Sequence, residues 1–320
     1  MRQMSPCRKI TARARSFVLF VLAILLVQLP TGAQTLTDAA RTTQNTLSAL
    51  DRFDTFSPAD EFANPSPADA DLGEQLLLTK SQRYRPFSIN ANWATTWTNN
   101  AFYTPTNRVS DVFMNGSVGA VALPHLGNNY FFEASARVQA YRFFRNPVLD
   151  FNSIVAGAGF LKVFREYGDV GLYAHYQYSD LVSPHGAGEL LHEHVIVTGL
   201  RKMFQFSRAQ ALFLSAEASF NLGGVPNYAL ASQYTLFAAH QIQWTRALQS
   251  SLYYQMQTLA FAEGGRTDFR NNVGLSLNLQ PYKWLTIYSS TWLGWNASNQ
   301  SEYNFFAANL GGGVGANISF

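Results

Sequence analysis

Charge and sulfur are scarce in this 320-residue chain: 13% of residues are Asp, Glu, Lys or Arg, and there is one cysteine, Cys7. Cys7 precedes the first apolar run, so it cannot be the lipidated cysteine of a lipoprotein. The chain beyond it has no thiol for a disulfide or a thiolate metal site. After residue 33 no stretch offers 18 uninterrupted apolar residues, which excludes a transmembrane helix there. A basic patch interleaved with aromatics is also missing, which argues against a nucleic-acid partner. No motif that would hold a cofactor is present, and none is expected.

The front end is distinctive. Arg2, Arg8, Lys9, Arg13 and Arg15, with no acid among them, precede the apolar run Phe17–Val27, then Pro30 and the small-residue site Thr31-Gly32-Ala33. That order reads as a secretory signal peptide over 1–33, the run being short for a membrane anchor. Its removal leaves 18 basic residues against 20 acidic ones, so the apparent basicity belongs to the export tag. Residues 34–85 follow as a segment rich in Pro, Ala, Asp and Ser, with a short helix expected within 36–50. With so little apolar surface the segment reads as a mostly disordered periplasmic arm, either docking a periplasmic partner or serving as a spacer.

Aromatics are 14% of the chain, and from residue 86 onward they fall into a repeating pattern. Stretches with period-two character occur at 87–97, 109–122, 130–142, 153–165, 170–179, 193–204, 211–222, 232–244, 248–260, 269–280, 285–295 and 306–320. Polar and apolar files segregate cleanly in several: Glu133, Ser135, Arg137, Gln139 and Tyr141 oppose Phe132, Ala134, Ala136, Val138 and Ala140. The stretches at 153–165, 193–204 and 285–295 do not reveal their faces. Connections alternate between short ones (EYGD, TRA, PYKW) and longer polar ones (TNNAFYTPTNRVS, SDLVSPHGAGELLH). An even number of strands with alternating turns fits an antiparallel up-and-down transmembrane β-barrel of 12 strands over 86–320, whereas a soluble sandwich has no reason to alternate.

The last strand carries the resemblance. Phe320, Ile318, Ala316, Val314, Gly312, Leu310, Ala308 and Phe306 form an apolar file ending in phenylalanine. This resembles the C-terminal recognition strand of Gram-negative outer-membrane β-barrels, with Ile318 where many members have an aromatic. The resemblance implies residence in the outer membrane among its lipids, and delivery by the barrel assembly machinery through Phe320 and Ile318. It also implies pairing of the last strand with the first, which the glycines would serve by allowing close approach. The segment from DADLGEQ to Thr98-Asn99-Asn100 resembles the first hairpin of barrels found with envelope polysaccharide export machinery, although the acid of their T-D-N-like element is replaced by Asn99.

Candidate functional residues follow from the files. Glu133, Arg137, His175, Glu217 and Arg270 fall on polar files assigned to the lumen, where they would either select solutes or plug a narrow barrel. His192 and His194 share a strand face within PHGAGELLHEH and are weak candidates for a metal, since HxH alone is a common pattern. His175 could instead act as a base, as in outer-membrane lipid hydrolases that set a His beside a Ser on the lipid rim, but no motif like theirs is present. The expectation is a passive channel for small polar solutes. The alternatives are a non-conducting scaffold docking a periplasmic partner in polysaccharide export, and a lipid hydrolase.

Overall fold

The computed structural model describes residues 36–45, 85–185, 188–207 and 209–320; the segment read as a signal peptide lies outside them. A helix, α1, spans 36–45. The first six strands are β1 (Phe87–Thr98), β2 (Asp111–Ala122), β3 (His125–Gly127), β4 (Tyr130–Phe143), β5 (Phe151–Phe164) and β6 (Val170–Val182). They are followed by β7 (Glu189–Ser207), β8 (Gln210–Val225), β9 (Ala231–Gln243), β10 (Leu248–Phe261), β11 (Thr267–Tyr282), β12 (Leu285–Ser298) and β13 (Phe305–Ser319). Apart from the three-residue β3, these are the strands the period-two pattern places, each within a few residues of its expected limits. β3 lies in the expected turn PHLGNNY, where positive φ at Asn128 (49°) and Asn129 (62°) folds a small hairpin back onto β4.

Each barrel strand pairs antiparallel with its neighbours, β2 pairs with β4, and β1 pairs with β13, so twelve strands close into a barrel. At the seam Phe87 N–H donates to Phe320 O at 3.2 Å and Phe320 N–H donates to Phe87 O at 2.9 Å, with the two rings stacked at 6.0 Å. The glycines of β13 let the strands meet there. A Cβ on Gly311 would lie 2.6 Å from Thr96 Oγ1, and one on Gly313 would press on the Trp93 carbonyl and lie 2.9 Å from Ala94 Cα. Closure removes both edges, which in lipid would leave backbone groups unsatisfied at several kcal/mol each.

β1 begins and β13 ends at the rim that carries the short turns, the periplasmic rim in barrels of this type. Around the outside of that rim, aromatics make a belt: Tyr282 stacks on Trp284 at 5.8 Å, and Lys162 Nζ lies 4.6 Å from the centre of the Tyr130 ring and 4.8 Å from that of Phe164. A second outer belt near the other rim includes Trp97, Phe220, Tyr234 and Phe269, all exposed. Between them Val118, Val138, Phe160, Leu236, Leu275 and Val314 present an apolar wall. The three strands whose faces the sequence hides are now readable. In β5 the inward file includes Val155, Leu161 and Val163, and in β7 it includes Val195 and Val197, so apolar residues sit on both faces and blur the alternation. In β12 the inward Trp292 and Tyr288 do the same.

Helix α1 lies inside the barrel, toward the extracellular rim, and most of it is buried. It is the short helix expected within 36–50, and it is seated in the lumen. Leu36, Ala39 and Ala40 give it only a small apolar face, too little for an ordinary core, but a barrel lumen is lined with polar groups, and a largely polar helix fits it. The remainder of the expected arm, 46–84, lies outside the described residues.

Two variants test the seam. Deleting Phe320 removes two backbone hydrogen bonds and a ring contact, so the level of protein in the outer membrane should fall while periplasmic degradation rises. Gly313→Ala should lower the urea midpoint of the refolded barrel, overpacking costing about 1–3 kcal/mol; wild-type behaviour of both would contradict a tightly packed seam.

Candidate functional site

The extracellular connections fold inward and are pinned by short polar side chains. Asn100, fully buried, accepts from Thr104 N–H at 3.1 Å and donates to the carbonyls of Thr104 (2.8 Å) and Phe306 (3.1 Å). Asp111 accepts from the N–H groups of Arg145 (3.1 Å) and Asn146 (3.0 Å), fixing the β4–β5 connection. His185 reaches Asp150 at 2.9 Å and ties the β6–β7 connection to it. Tyr103 is held at φ 52°, a conformation costly for a bulky residue, and packs its ring against Phe305 at 5.0 Å.

These connections and the upper walls make the socket for α1. Leu36, Ala39 and Ala40 supply its apolar contact, packing in a cluster that includes Phe113, Tyr141, Phe151, Leu191, Tyr253 and Trp292. The other side chains bond to the wall. Thr37 donates to the Leu190 carbonyl at 3.2 Å, Thr43 to Tyr103 Oη at 3.3 Å and Gln44 to Ser153 Oγ at 2.9 Å, while Arg41 donates to the Ala229 carbonyl and pairs with Glu193 at 3.3 Å. Burial pushes the Tyr103 phenol up, against the Thr43 hydrogen bond and the Arg270 charge.

Arg266 is the latch. It donates to both oxygens of Asp268, at 3.0 and 2.6 Å, and its remaining arm reaches Asp38 of α1 at 2.8 Å. Its guanidinium is sandwiched by Tyr303, 3.4 Å to the ring centre, and Phe261 at 4.0 Å. Burial acts to lower its pKa, but the Asp268 hydrogen bonds and the two carboxylate charges outweigh that and hold the guanidinium above its ordinary value. One turn deeper Arg270 is 2% exposed, 4.0 Å from Asp268, with Nε and Nη1 shut away from solvent and lacking hydrogen-bond partners. Buried charge of this kind is held only because neighbours compensate it.

Glu133, Arg137, His175 and Glu217 face the lumen as Arg270 does, but in its periplasmic part. Glu133 pairs with Arg201 of β7 at 3.8 Å, across two intervening strands. The span is open because a Cβ on Gly171 would sit 3.0 Å from Arg201 Cγ. Arg201 lies 5.3 Å from the centre of the Tyr173 ring, Tyr173 donates to Glu217 at 2.8 Å, and His175 stacks on Tyr173 at 5.7 Å. Ser135 and Asn317 on the same inner wall are exposed, so water reaches this half.

The histidine-rich stretch is divided by strand alternation. Glu193 points inward to Arg41, while His192 and His194 point outward, away from the lumen. Sequence reasoning missed Asp38, Arg41, Arg266, Asp268 and Tyr103 as partners. The one available signal was a pair of charges, Arg266 and Asp268, at the end of a strand whose inward file is otherwise uncharged except for Arg270.

No protein-family model matches the sequence, and no curated protein does either. Solved structures match its fold. An outer membrane channel from Pseudomonas putida F1 is similar over 82% of this chain and 99% of its own, with 10% identity and a TM-score of 0.52. The KdgM porin in complex with disordered oligogalacturonate matches over 72% of this chain and 98% of its own, with 9% identity and a TM-score of 0.40. The β domain of the Bordetella autotransporter BrkA covers 73% of this chain and 100% of its own, with 10% identity and a TM-score of 0.46. The fold is that of the Gram-negative outer-membrane β-barrels.

The latch is testable by charge removal. Asp268→Asn leaves Arg266 and Arg270 buried with half their compensation, and urea unfolding should show a loss of about 3–5 kcal/mol. A loss below about 1 kcal/mol, the range of an exposed pair, would mean the network is hydrated.

Proposed function

We propose that this barrel is a passive channel for small polar solutes whose extracellular mouth is narrowed by α1. The observation that carries the reading is the contrast between the two halves of the lumen. Around α1 the wall is buried, whereas below it exposed Ser135 and Asn317 let water reach the inner wall beside a buried apolar cluster of Phe131, Leu161, Val163 and Tyr173, with Glu133 and Arg137 two positions apart on one inward file. A packed, non-conducting barrel would have no use for a hydrated half. Likeness in fold to an outer membrane channel supports the reading without naming a solute.

A second reading is favoured by α1 itself. A helix latched by two carboxylate–arginine contacts could close the mouth permanently, leaving a scaffold whose N-terminal segment docks a periplasmic partner, as in polysaccharide export. The hydrolase reading has no such support, because His175 lies inside the barrel on the Tyr173 ring and not at the lipid rim.

Single-channel recording separates the two. Wild-type protein should give small current steps, and deletion of residues 36–45 should raise the step size several-fold while heat-modifiable migration stays intact. Glu133→Gln should shift the reversal potential toward anion selectivity and Arg137→Gln toward cation selectivity, both sites being partly hydrated. A folded deletion variant that carries no current would sink the channel reading and promote the scaffold.

A further inference from the structure

We propose that Asp180, Glu189 and His192 form a binding site for a divalent transition metal of the zinc type on the outer wall of the barrel, at its extracellular rim. One oxygen of each carboxylate and one ring nitrogen of His192 lie within 4.8 Å of one another. His192 Nδ1 and Glu189 Oε1 are already 3.3 Å apart, close to the edge of about 3.3 Å that a tetrahedral ion with bonds of about 2.0–2.1 Å requires. Asp180, directly across from His192 in the β6–β7 ladder, has an Oδ1 that is cut off from solvent and lacks a hydrogen-bond partner.

A local irregularity assembles the set. Glu189 and His192 are three apart, a spacing that in a regular strand puts side chains on opposite faces. The register shifts here: Leu181 pairs with Leu191 but Val182 pairs with Glu189, so Leu190 is an extra residue. Both Leu190 and Leu191 turn inward and are buried, and Glu189 comes out on the face of His192. Bulges of this kind re-aim side chains near functional sites.

The second nitrogen of His192 is also engaged. His192 Nε2 lies 3.0 Å from His194 Nε2, and His194 Nδ1 meets the Tyr176 hydroxyl. With a metal on His192 Nδ1, the proton on Nε2 donates to His194 Nε2, and His194 donates from Nδ1 to Tyr176. Such outer partners fix the tautomer and orientation of a ligating imidazole. His194 and Tyr176 are therefore positioning residues, and their alternation with Glu193, which faces the lumen, places the whole relay outside. Phe220, opposite Ile196 on the next strand, belongs to the outer aromatic belt, so the site stands just above it at headgroup level, with Glu189 open to water. Metal binding would staple β6 to β7 where the connecting segment leaves the wall.

The test is titration calorimetry of the tag-free, full barrel in detergent with Zn²⁺ as the probe. Wild-type protein should bind one ion, visible as a heat that saturates at one equivalent. His192→Ala and Asp180→Asn should abolish that binding while keeping heat-modifiable migration. His194→Gln and Tyr176→Phe should keep one site but weaken it about 10–100-fold. Absence of binding to the folded wild type, or equal binding by His192→Ala, would overturn the site. Unchanged affinity in both His194→Gln and Tyr176→Phe would overturn the relay.

Discussion

A backbone in hydrocarbon has no water to turn to, and the pairing of β1 with β13 is what leaves this chain no open sheet edge. Phe87 and Phe320 exchange hydrogen bonds at the seam, and glycines in β13 permit an approach that side chains would block. Once closure is granted, the rest is sorted by solvent. Apolar residues such as Val138 and Leu236 face lipid, and polar ones are driven inward to a lumen where they can pair or stay wet.

That inversion explains the guest helix. Residues 36–45 have one leucine, two adjacent alanines and otherwise threonine, asparagine, glutamine, arginine and aspartate, a composition that would be left in water by an ordinary protein. Here the wall offers carbonyls, a hydroxyl and opposite charges to its polar side chains, and an apolar cluster to Leu36, Ala39 and Ala40. The strongest contacts gather at Arg266, which joins α1 through Asp38 and the wall through Asp268 while two aromatic rings exclude water from its faces. Arg270, with two nitrogens lacking partners, marks the floor of this arrangement. The energetic stake is concentrated in a few charges, so the helix is held by a network that one substitution can break.

The strands were readable because their signal is local: alternation along β4, β6, β8 and β11 depends only on which side is wet. Where the inner wall is itself apolar, as at Val155, Leu161, Val195 and Val197, alternation carries no information, and only the pairing partners assign the faces. The helix existed in the sequence as a short run of helix formers, yet its place did not, because the usual criterion asks for an apolar stripe. The lumen residues Glu133, Arg137, His175, Glu217 and Arg270 could be placed on one wall, but their grouping into an outer latch and an inner hydrated set depends on depth along the barrel. Glu189 and His192, three apart in sequence, are brought to one face by a bulge at Leu190, which leaves no mark in composition.

The position of α1 is best tested by cross-linking in the membrane, since Cys7 is the chain's single cysteine and can be replaced. Gln44 touches Ser153 on the inner face of β5 at 2.9 Å, whereas Ile154, the next residue, faces lipid and is exposed. With cysteines at 44 and 153, oxidation or a short bifunctional thiol reagent should join the two sites in outer-membrane preparations, and the pair at 44 and 154 should stay unlinked. Equal yields from the two pairs, or no link at 153 in a folded barrel, would contradict a helix seated in the lumen.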